Sequence, residues 1–185
     1  MDPISSVHAD VIVVSIAAGV KIASLTWYAK AKVVRAMPNI CAQVGEGITA
    51  LSHTPNLTDE DKAVVQALFD SAGKTVWVDE SKMDAVTGIS GSGPAYLLLV
   101  MEAMVQAGVE AGLPLEQSRQ LVYQTVKGAA QMAQATGESP AALREKITSP
   151  GGTTAAALHE LEAHGVRGAF LDAVAAAVHR AKELG

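Results

Sequence analysis

Strand-forming patterns stop near residue 80 of this 185-residue chain, and helical patterns fill the remainder. Residues 11–16 form a nearly continuous β-branched run, typical of a strand that is buried on both faces of a parallel sheet. Three further strands are predicted at residues 33–35, 48–51 and 75–78. We therefore predict an α/β domain over residues 1–80 and an all-α domain over residues 81–185.

The composition of the chain indicates which kinds of molecule it can bind. Hydrophobic residues make up 49% of the chain and aromatic residues only 4%, so the core must be aliphatic, which favours closely packed helices. A net charge of −5 without a basic run provides no footprint for nucleic acid or for a membrane surface. The longest apolar run, residues 11–20, is too short for a bilayer span and lacks the flanks of a signal peptide. Because Cys41 is the single cysteine, no internal disulfide can form, and we expect a cytoplasmic protein that acts on a small molecule.

Small residues follow the first predicted strand, and a Met-Pro-Asn sequence follows the second. Ligands of α/β sheets bind beyond the carboxyl ends of the strands, where both Ala17-Ala18-Gly19 and Met37-Pro38-Asn39 fall. The small side chains would let a flat ligand lie against the backbone. Two ordinary strand-to-helix turns are an equal alternative at this point. Glu80 follows the fourth strand, and its carboxylate can either contact a ligand or be solvated at the surface.

One long helical pattern in the second half is almost entirely apolar. Between residues 95 and 113, polar side chains recur every four positions, at Glu102, Gln106 and Glu110. A single narrow polar stripe predicts a helix that is buried on most of its sides. A chain of this size has few elements to cover such a helix, so we expect a second copy of the chain to cover it. In the next helix, the Gly-Ala-Ala sequence at 128–130 predicts a close helix crossing.

A turn rich in hydroxyl groups precedes a later alanine-rich helix. Its sequence, Thr-Ser-Pro-Gly-Gly-Thr-Thr at 148–154, leads into a helix whose first backbone N–H groups lack partners. None of the four hydroxyl residues has Glu or Gln three positions later, so no capping box engages them. Such an end suits a substrate carboxylate, although a well-capped helix start is the commoner role. The histidines have no metal-ligand spacing, so no metal site is predicted.

Four stretches together resemble pyrroline-5-carboxylate reductase, the enzyme family that makes proline. They are residues 15–20, 35–39, 87–96 and 148–154. They occur in the family's order, and the combination of T-G-x-S-G-S-G-P-A-Y with T-S-P-G-G-T-T is highly specific. The resemblance implies an α/β remnant of a Rossmann-like parallel sheet followed by an all-α helical dimerisation domain. A homodimer or a higher homo-oligomer is therefore expected.

The resemblance also implies an oxidoreductase that transfers a hydride from NADPH or NADH to the C=N bond of 1-pyrroline-5-carboxylate, giving L-proline. On the matching positions, the cofactor would contact Ala17, Ala18, Gly19, Met37, Pro38 and Asn39. The substrate would contact Glu80, Ser149, Gly152, Thr153 and Thr154. Thr154 would be the catalytic residue, with a hydrogen bond to the ring nitrogen. Because a threonine hydroxyl is a weak acid, we assign it orientation and polarisation, with the proton arriving through water.

The chain departs from the family pattern in two places. Ile40 and Cys41 stand where the family commonly has Thr-Pro, which predicts a modest change in the loop beside the nicotinamide. No G-x-G-x-x-G turn, which cradles the pyrophosphate, occurs in the sequence. The resemblance therefore starts halfway through the dinucleotide-binding domain. We expect an unpaired strand edge, weak cofactor binding and little turnover by this chain alone.

Two alternatives stay open. The first is a catalytically inactive dimerising fragment of the reductase, which would dimerise without binding nucleotide. The second is a dehydrogenase of hydroxy acids from the wider group with Rossmann-like and helical domains. That group is expected to carry a catalytic lysine on the long helix, and residues 95–113 contain none. The sequence does not separate NADPH from NADH.

Overall fold

The computed structural model of the chain describes residues 11–25 and 32–185. Its strands are β1 (Ile12–Ser15), β2 (Lys32–Met37), β3 (Gly47–His53) and β4 (Gly73–Trp77). Its α-helices are α1 (Ile22–Leu25), α2 (Asp59–Asp70), α3 (Met83–Val86), α4 (Gly93–Glu110), α5 (Leu115–Thr136), α6 (Pro140–Lys146), α7 (Thr153–Ala163) and α8 (Val166–Leu184). Short 3-10 turns cover Ile40–Val44 and Glu80–Lys82, and a π-helical turn covers Thr87–Gly91. The sequence also predicts a helix over residues 21–31; α1 is the part of it that the structure describes, and residues 26–31 lie outside the described residues.

The chain divides into two compact units. The first runs up to Pro94 and includes Asp172–Gly185, and the second is Ala95–Leu171. All four strands belong to the first unit, and the second is helical. The predicted order of an α/β part followed by an all-α part is therefore confirmed. The units differ from the predicted division at residue 80, because α3, the π-helical turn and the end of α8 are grouped with the sheet.

The sheet has the strand order β1-β2-β3-β4. β1 pairs with β2 in parallel, β2 with β3 antiparallel, and β3 with β4 in parallel. The sheet is thus mixed, and the expectation that it is parallel throughout was wrong for one strand pair. A parallel crossover needs a dozen or more residues, and residues 38–46 between β2 and β3 are too few.

Two apolar layers cover the sheet. Val33 and Val34 are adjacent in β2 and both are 0% exposed, so that this strand is buried on both faces. The run at residues 11–16, for which this burial was predicted, is only partly buried, with Val11 and Ile16 44% and 64% exposed. Val34 belongs to a core with Leu51 of β3 and Val65 of α2. Val33 packs in a separate core with Ile22 of α1. α1 and α2 therefore cover opposite faces, because successive strand residues point to opposite sides of a sheet.

The second unit is built around the contact of α4 with α5. The hydroxyl of Ser118 in α5 donates a hydrogen bond of 2.8 Å to the carbonyl oxygen of Val105 in α4, and Ser118 is 1% exposed. α5 ends at Gly137, which has a left-handed φ of 66° that favours glycine. α4 nevertheless leaves apolar side chains exposed, including Leu97, Leu98 and Leu99.

The long helical stretch Glu80–Glu110 is long and apolar enough, by length and composition alone, to cross a membrane, and little of it is buried in the single chain. The longest uninterrupted apolar run is still residues 11–20, and the expectation that the chain has no membrane partner stays a prediction. The burial predicted for the helix over residues 95–113 is not made within the described part of the chain. A side chain on Gly128 would likewise meet no described atom within 4 Å. The close crossing predicted there is not formed among the helices that the structure describes.

Candidate functional site

The segments predicted to hold the cofactor meet at one edge of the sheet. β1 and β2 run in parallel, and Ser15 at the end of β1 lies opposite Arg35 of β2. Ala17-Ala18-Gly19 and Met37-Pro38-Asn39 therefore both lie at the carboxyl ends of two adjacent parallel strands. Ala17 and Ala18 are exposed. Gly19 has a φ of 79°, a left-handed conformation that a residue with a side chain rarely adopts.

The side chain of Asn39 fixes the loop that it begins. Its Oδ1 accepts a hydrogen bond of 3.3 Å from the N–H of Ile48 at the start of β3. The chain between them forms the 3-10 turn Ile40–Val44, in which Ile40 is 64% exposed and Cys41 is partly exposed. The unusual Ile40-Cys41 pair is therefore accommodated in a regular turn beside the predicted cofactor segment.

The glycine-rich motif at 87–91 forms a π-helical turn, which the sequence did not predict. The N–H of Ser92 donates to the carbonyl oxygen of Thr87 over 2.9 Å, the i to i+5 bond of a π turn. A Cβ on Gly91 would lie 2.8 Å from the Cε of Met37. π turns occur often at functional sites, and this one lets the backbone approach a residue predicted to contact the cofactor.

Glu80 lies on the face of the sheet that α1 covers. Its Oε1 accepts a hydrogen bond of 2.6 Å from the N–H of Ile22 and lies 3.4 Å from Nη1 of Arg35. β4 runs opposite to β2, so the strand itself does not deliver Glu80 to the edge where Gly19 lies. The 3-10 turn Glu80–Lys82 brings the carboxylate to Ile22, three residues beyond Gly19. Its predicted contact with the substrate stays a prediction.

A tight turn precedes α7 in the second unit. The N–H of Gly152 donates to the carbonyl oxygen of Ser149 over 3.0 Å, and Gly151 has a φ of 69°. Proline at the second position and a left-handed glycine at the third are the sequence signature of a type II turn. A side chain on Gly152 would collide with the Ser149 hydroxyl. The predicted substrate residues Ser149 and Gly152 are thus in direct contact.

The N-terminus of α7 has no side-chain cap. Its N-cap residue is Gly152, and the first backbone hydrogen bond back to it comes from the N–H of Ala156. The N–H groups of Thr153, Thr154 and Ala155 therefore lack helical partners. Within the described ranges no hydrogen bond engages the hydroxyls of Ser149, Thr153 or Thr154, whereas Thr148 donates to Arg144. The prediction that no capping box occupies this end is confirmed.

These features can bind two chemical groups. In the first unit, small residues at a sheet edge offer backbone to a flat ring. In the second unit, unpaired N–H groups and hydroxyls at the start of α7 offer donors to an anion. A family model described as pyrroline-5-carboxylate reductase dimerisation matches residues 80–184. The chain belongs to the pyrroline-5-carboxylate reductase family.

Relatives of this reductase family match almost the whole chain. A pyrroline-5-carboxylate reductase of Arabidopsis thaliana is 48% identical over 94% of the chain, and one of Methanosarcina acetivorans is 44% identical over 98%. These matches cover 63% and 68% of the relatives' own lengths. The chain thus spans less than two thirds of the length of the Arabidopsis reductase.

Solved structures of the family have the same fold. A pyrroline-5-carboxylate reductase of Coxiella burnetii matches with a TM-score of 0.92 at 38% identity, over 98% of this chain and 68% of that one. The reductase of Plasmodium falciparum, solved with NADP bound, matches with a TM-score of 0.87 at 37% identity, over 94% of this chain and 71% of that one. The predicted fold class, a Rossmann-like part followed by a helical dimerisation domain, is confirmed. The roles of individual site residues stay predictions.

Proposed function

We propose that the chain reduces 1-pyrroline-5-carboxylate to L-proline, with NADPH or NADH as the hydride donor. The observation that carries the proposal is the uncapped start of α7, where three backbone N–H groups and the hydroxyls of Ser149, Thr153 and Thr154 are available to one anion. The pyrroline substrate carries a carboxylate that matches these donors in charge and geometry. Relatives named as this reductase support the same reaction.

In this proposal the substrate is held by its carboxylate and oriented at its nitrogen. The turn from Ser149 to Gly152 and the N–H groups of α7 bind the carboxylate. The hydroxyl of Thr154 forms a hydrogen bond to the ring nitrogen. This contact polarises the C=N bond and fixes the carbon that receives the hydride, while water delivers the proton to nitrogen.

The residues of the first unit fit a nicotinamide ring. Ala17 and Ala18 are exposed just beyond the end of β1, and Met37 is the last residue of the parallel neighbour β2. The dinucleotide supplies the hydride, and the protein supplies its orientation. The NADP bound to the Plasmodium relative supports a nicotinamide dinucleotide as cofactor.

We also propose that a second copy of the chain covers the apolar side chains of the helical unit. Leu97, Leu98 and Leu99 of α4 are 53%, 61% and 66% exposed, and Leu121 of α5 is 56% exposed. A monomer rarely exposes a contiguous apolar surface of this kind. The family model that matches residues 80–184 is named for dimerisation. The net charge of −5 and the single cysteine support a cytoplasmic homo-oligomer without a nucleic-acid partner.

A second candidate function is a catalytically inactive dimerising module of the same family. It is supported by the sequence, which contains no G-x-G-x-x-G turn to hold the pyrophosphate. Such a module would form the dimer without binding a dinucleotide. Its surface would be the same apolar helical surface.

Both candidates are tested with the purified chain, pyrroline-5-carboxylate and each reduced dinucleotide, by following the absorbance of the reduced cofactor. We expect substrate-dependent oxidation at a low rate, because the sequence contains no pyrophosphate-binding G-x-G-x-x-G turn. Thr154→Val should lower its kcat/KM about 2- to 12-fold, the loss of one hydrogen bond to a neutral acceptor. Thr136→Val is the matched control, because the Thr136 hydroxyl makes local bonds at the end of α5: it donates to Met132 and accepts from the N–H of Glu138. No oxidation by a chain that sediments as a dimer would favour the inactive module. Binding of the chain to lipid vesicles would contradict the proposal that a second copy covers the exposed apolar side chains of the helical unit.

A further inference from the structure

We infer that Arg35 is a positioning residue that holds the segment from Ile16 to Ile22 at both of its ends. This inference rests on the proposed function, because that segment contains the residues proposed to lie along the nicotinamide. Neither the family comparison nor the sequence pattern assigns a role to Arg35.

The first end is held through the backbone. Ser15 is the last residue of β1, and its strand partner is Arg35 in the middle of β2. Arg35 also lies opposite Ser52 of β3, so its backbone is fixed from two sides. The segment therefore leaves the sheet from a point that the Arg35 backbone determines.

The second end is held through the side chain. Nη1 of Arg35 lies 3.4 Å from Oε1 of Glu80, and the same oxygen accepts the N–H of Ile22 over 2.6 Å. The N–H of Ile22 is in the first turn of α1, where a helix provides no partner of its own. The carboxylate provides that partner, and a hydrogen bond to a charged acceptor is stronger than one to a neutral acceptor.

The two partners of this ion pair are buried to different degrees. The Arg35 side chain is 5% exposed, whereas the Glu80 side chain is 33% exposed. A buried guanidinium needs a counter-charge, so Arg35 keeps the carboxylate on this face of the sheet. Without Arg35, the partly exposed Glu80 is free to turn towards water. The segment from Ile16 to Ile22 would then be released at Ile22, while Ser15 stays paired with Arg35 in the sheet.

Lys32 provides a matched control on the same strand. Its Nζ forms an ion pair of 2.7 Å with Asp61 of α2, which covers the face of the sheet opposite to the one that Ile22 packs against. Lys32→Met and Arg35→Met each remove one cation from β2 and one ion pair from the same unit. A loss of stability alone would therefore affect both variants in the same way.

The first measurement is amide hydrogen exchange of the unliganded chain, which needs no turnover. We expect Arg35→Met to raise the exchange rate of the Ile22 amide at least tenfold relative to a reference peptide from β3, and Lys32→Met to leave that ratio unchanged. Arg35→Lys keeps the charge but loses the planar fork, and we expect it to restore part of the protection. If Arg35→Met does not fold, the test rests on Arg35→Lys, in which we expect the exchange rate of the Ile22 amide to rise severalfold over the wild type. Unchanged protection at Ile22 in the folded variants would overturn the inference.

The second measurement separates this inference from the proposed function. In the reductase assay we expect Arg35→Met to lower kcat/KM for the dinucleotide at least tenfold, and Lys32→Met to change it less than about twofold. Wild-type chain without turnover would count against the proposed function, and the exchange result would still decide whether Arg35 holds the segment. A Lys32→Met variant with the same kinetic loss would overturn the inference.

Discussion

The hydroxyl of Ser118 fills the space where a side chain on Gly108 would have to stand. It donates to the carbonyl oxygen of Val105 on the same helix as Gly108, over 2.8 Å. α4 and α5 therefore approach with only a hydroxyl between them. The absence of a side chain at position 108 is a packing requirement of this contact, because close-packed interiors leave no spare volume.

Gly108→Ala should destabilise the chain by about 1–2 kcal/mol. The overpacked methyl group costs about 1–3 kcal/mol, and the better helix propensity of alanine offsets up to about 1 kcal/mol of that. Chemical denaturation of the variant measures the difference. The Ser118→Ala background is the control, because removal of the hydroxyl makes room for the methyl group. Additive effects of the two substitutions would contradict the contact.

The two glycines of the π-helical turn should respond differently to alanine. A Cβ on Gly88 would lie 2.7 Å from Cγ2 of Val178 and 3.3 Å from the backbone oxygen of Val174, which cannot move without shifting α8. A Cβ on Gly91 would clash with the end of the flexible Met37 side chain and make an ordinary 3.7 Å contact with Cγ2 of Thr87. We expect Gly88→Ala to cost about 1–3 kcal/mol of unfolding free energy and Gly91→Ala clearly less.

Thermal unfolding of both variants checks this order. Because Gly91→Ala would displace Met37, we also expect it to raise the KM for the dinucleotide while the melting temperature changes little. Equal loss of stability in the two variants would show that the turn is rigid at both glycines.

Asp61 should make the stability of the first unit depend on pH in the acid range. The hydrogen bond from Lys32, followed by the backbone N–H and hydroxyl of Thr58, lowers the pKa of the Asp61 carboxyl from 3.8 to about 2. A pKa that is lower in the folded than in the unfolded chain favours folding wherever the carboxyl is ionised in both states. This contribution is complete above pH 3.8 and is lost as the pH falls towards about 2.

Asp61→Asn removes this contribution, so the variant should melt at a lower temperature than the wild type near neutral pH. We expect the two melting curves to converge as the pH is lowered through that window. Circular dichroism at a series of pH values measures the gap. A gap that stays constant between neutral pH and about pH 2 would show that the carboxylate is not linked to folding.

Local patterns predicted much of the fold, and long-range pairings account for what they missed. The β-branched residues predicted where the strands lie, because strand propensity is a local property. They did not predict burial, which depends on packing: β2 is buried on both faces, whereas β1, for which this was predicted, is only partly buried. The direction of β3 was not predicted, since a β-branched run reads the same in either direction. The loop length between β2 and β3 was the available signal.

The candidate site divides in the same way. The turn at 149–152 was predicted because proline and glycine determine its geometry locally. The pairing of Arg35 with Glu80 joins residues far apart in the sequence, and no periodicity reveals it. A single charge inside a β-branched stretch was the only available sign that Arg35 has a buried partner.

The surface around Gly128 is where we expect two copies of the chain to meet. A side chain there would meet no described atom within 4 Å, although Gly128 lies in the middle of α5. The same helix exposes Leu121, Tyr123 and Met132 by 56%, 54% and 39%. In the proposed dimer, the close crossing that Gly-Ala-Ala predicts would be made with a helix of another copy.

Gly128→Leu should leave the fold of the single chain intact and weaken the dimer. Overpacking of about 1–3 kcal/mol at the crossing corresponds to a dissociation constant raised roughly 5- to 150-fold. Sedimentation equilibrium over a range of concentrations measures it, and far-UV circular dichroism checks the helices. Thr136→Leu adds the same side chain at the end of α5 and should leave the dimer unchanged. If Gly128→Leu dimerises as tightly as the wild type, the copies meet through another face, and the exposed leucines of α4 become the surface to test.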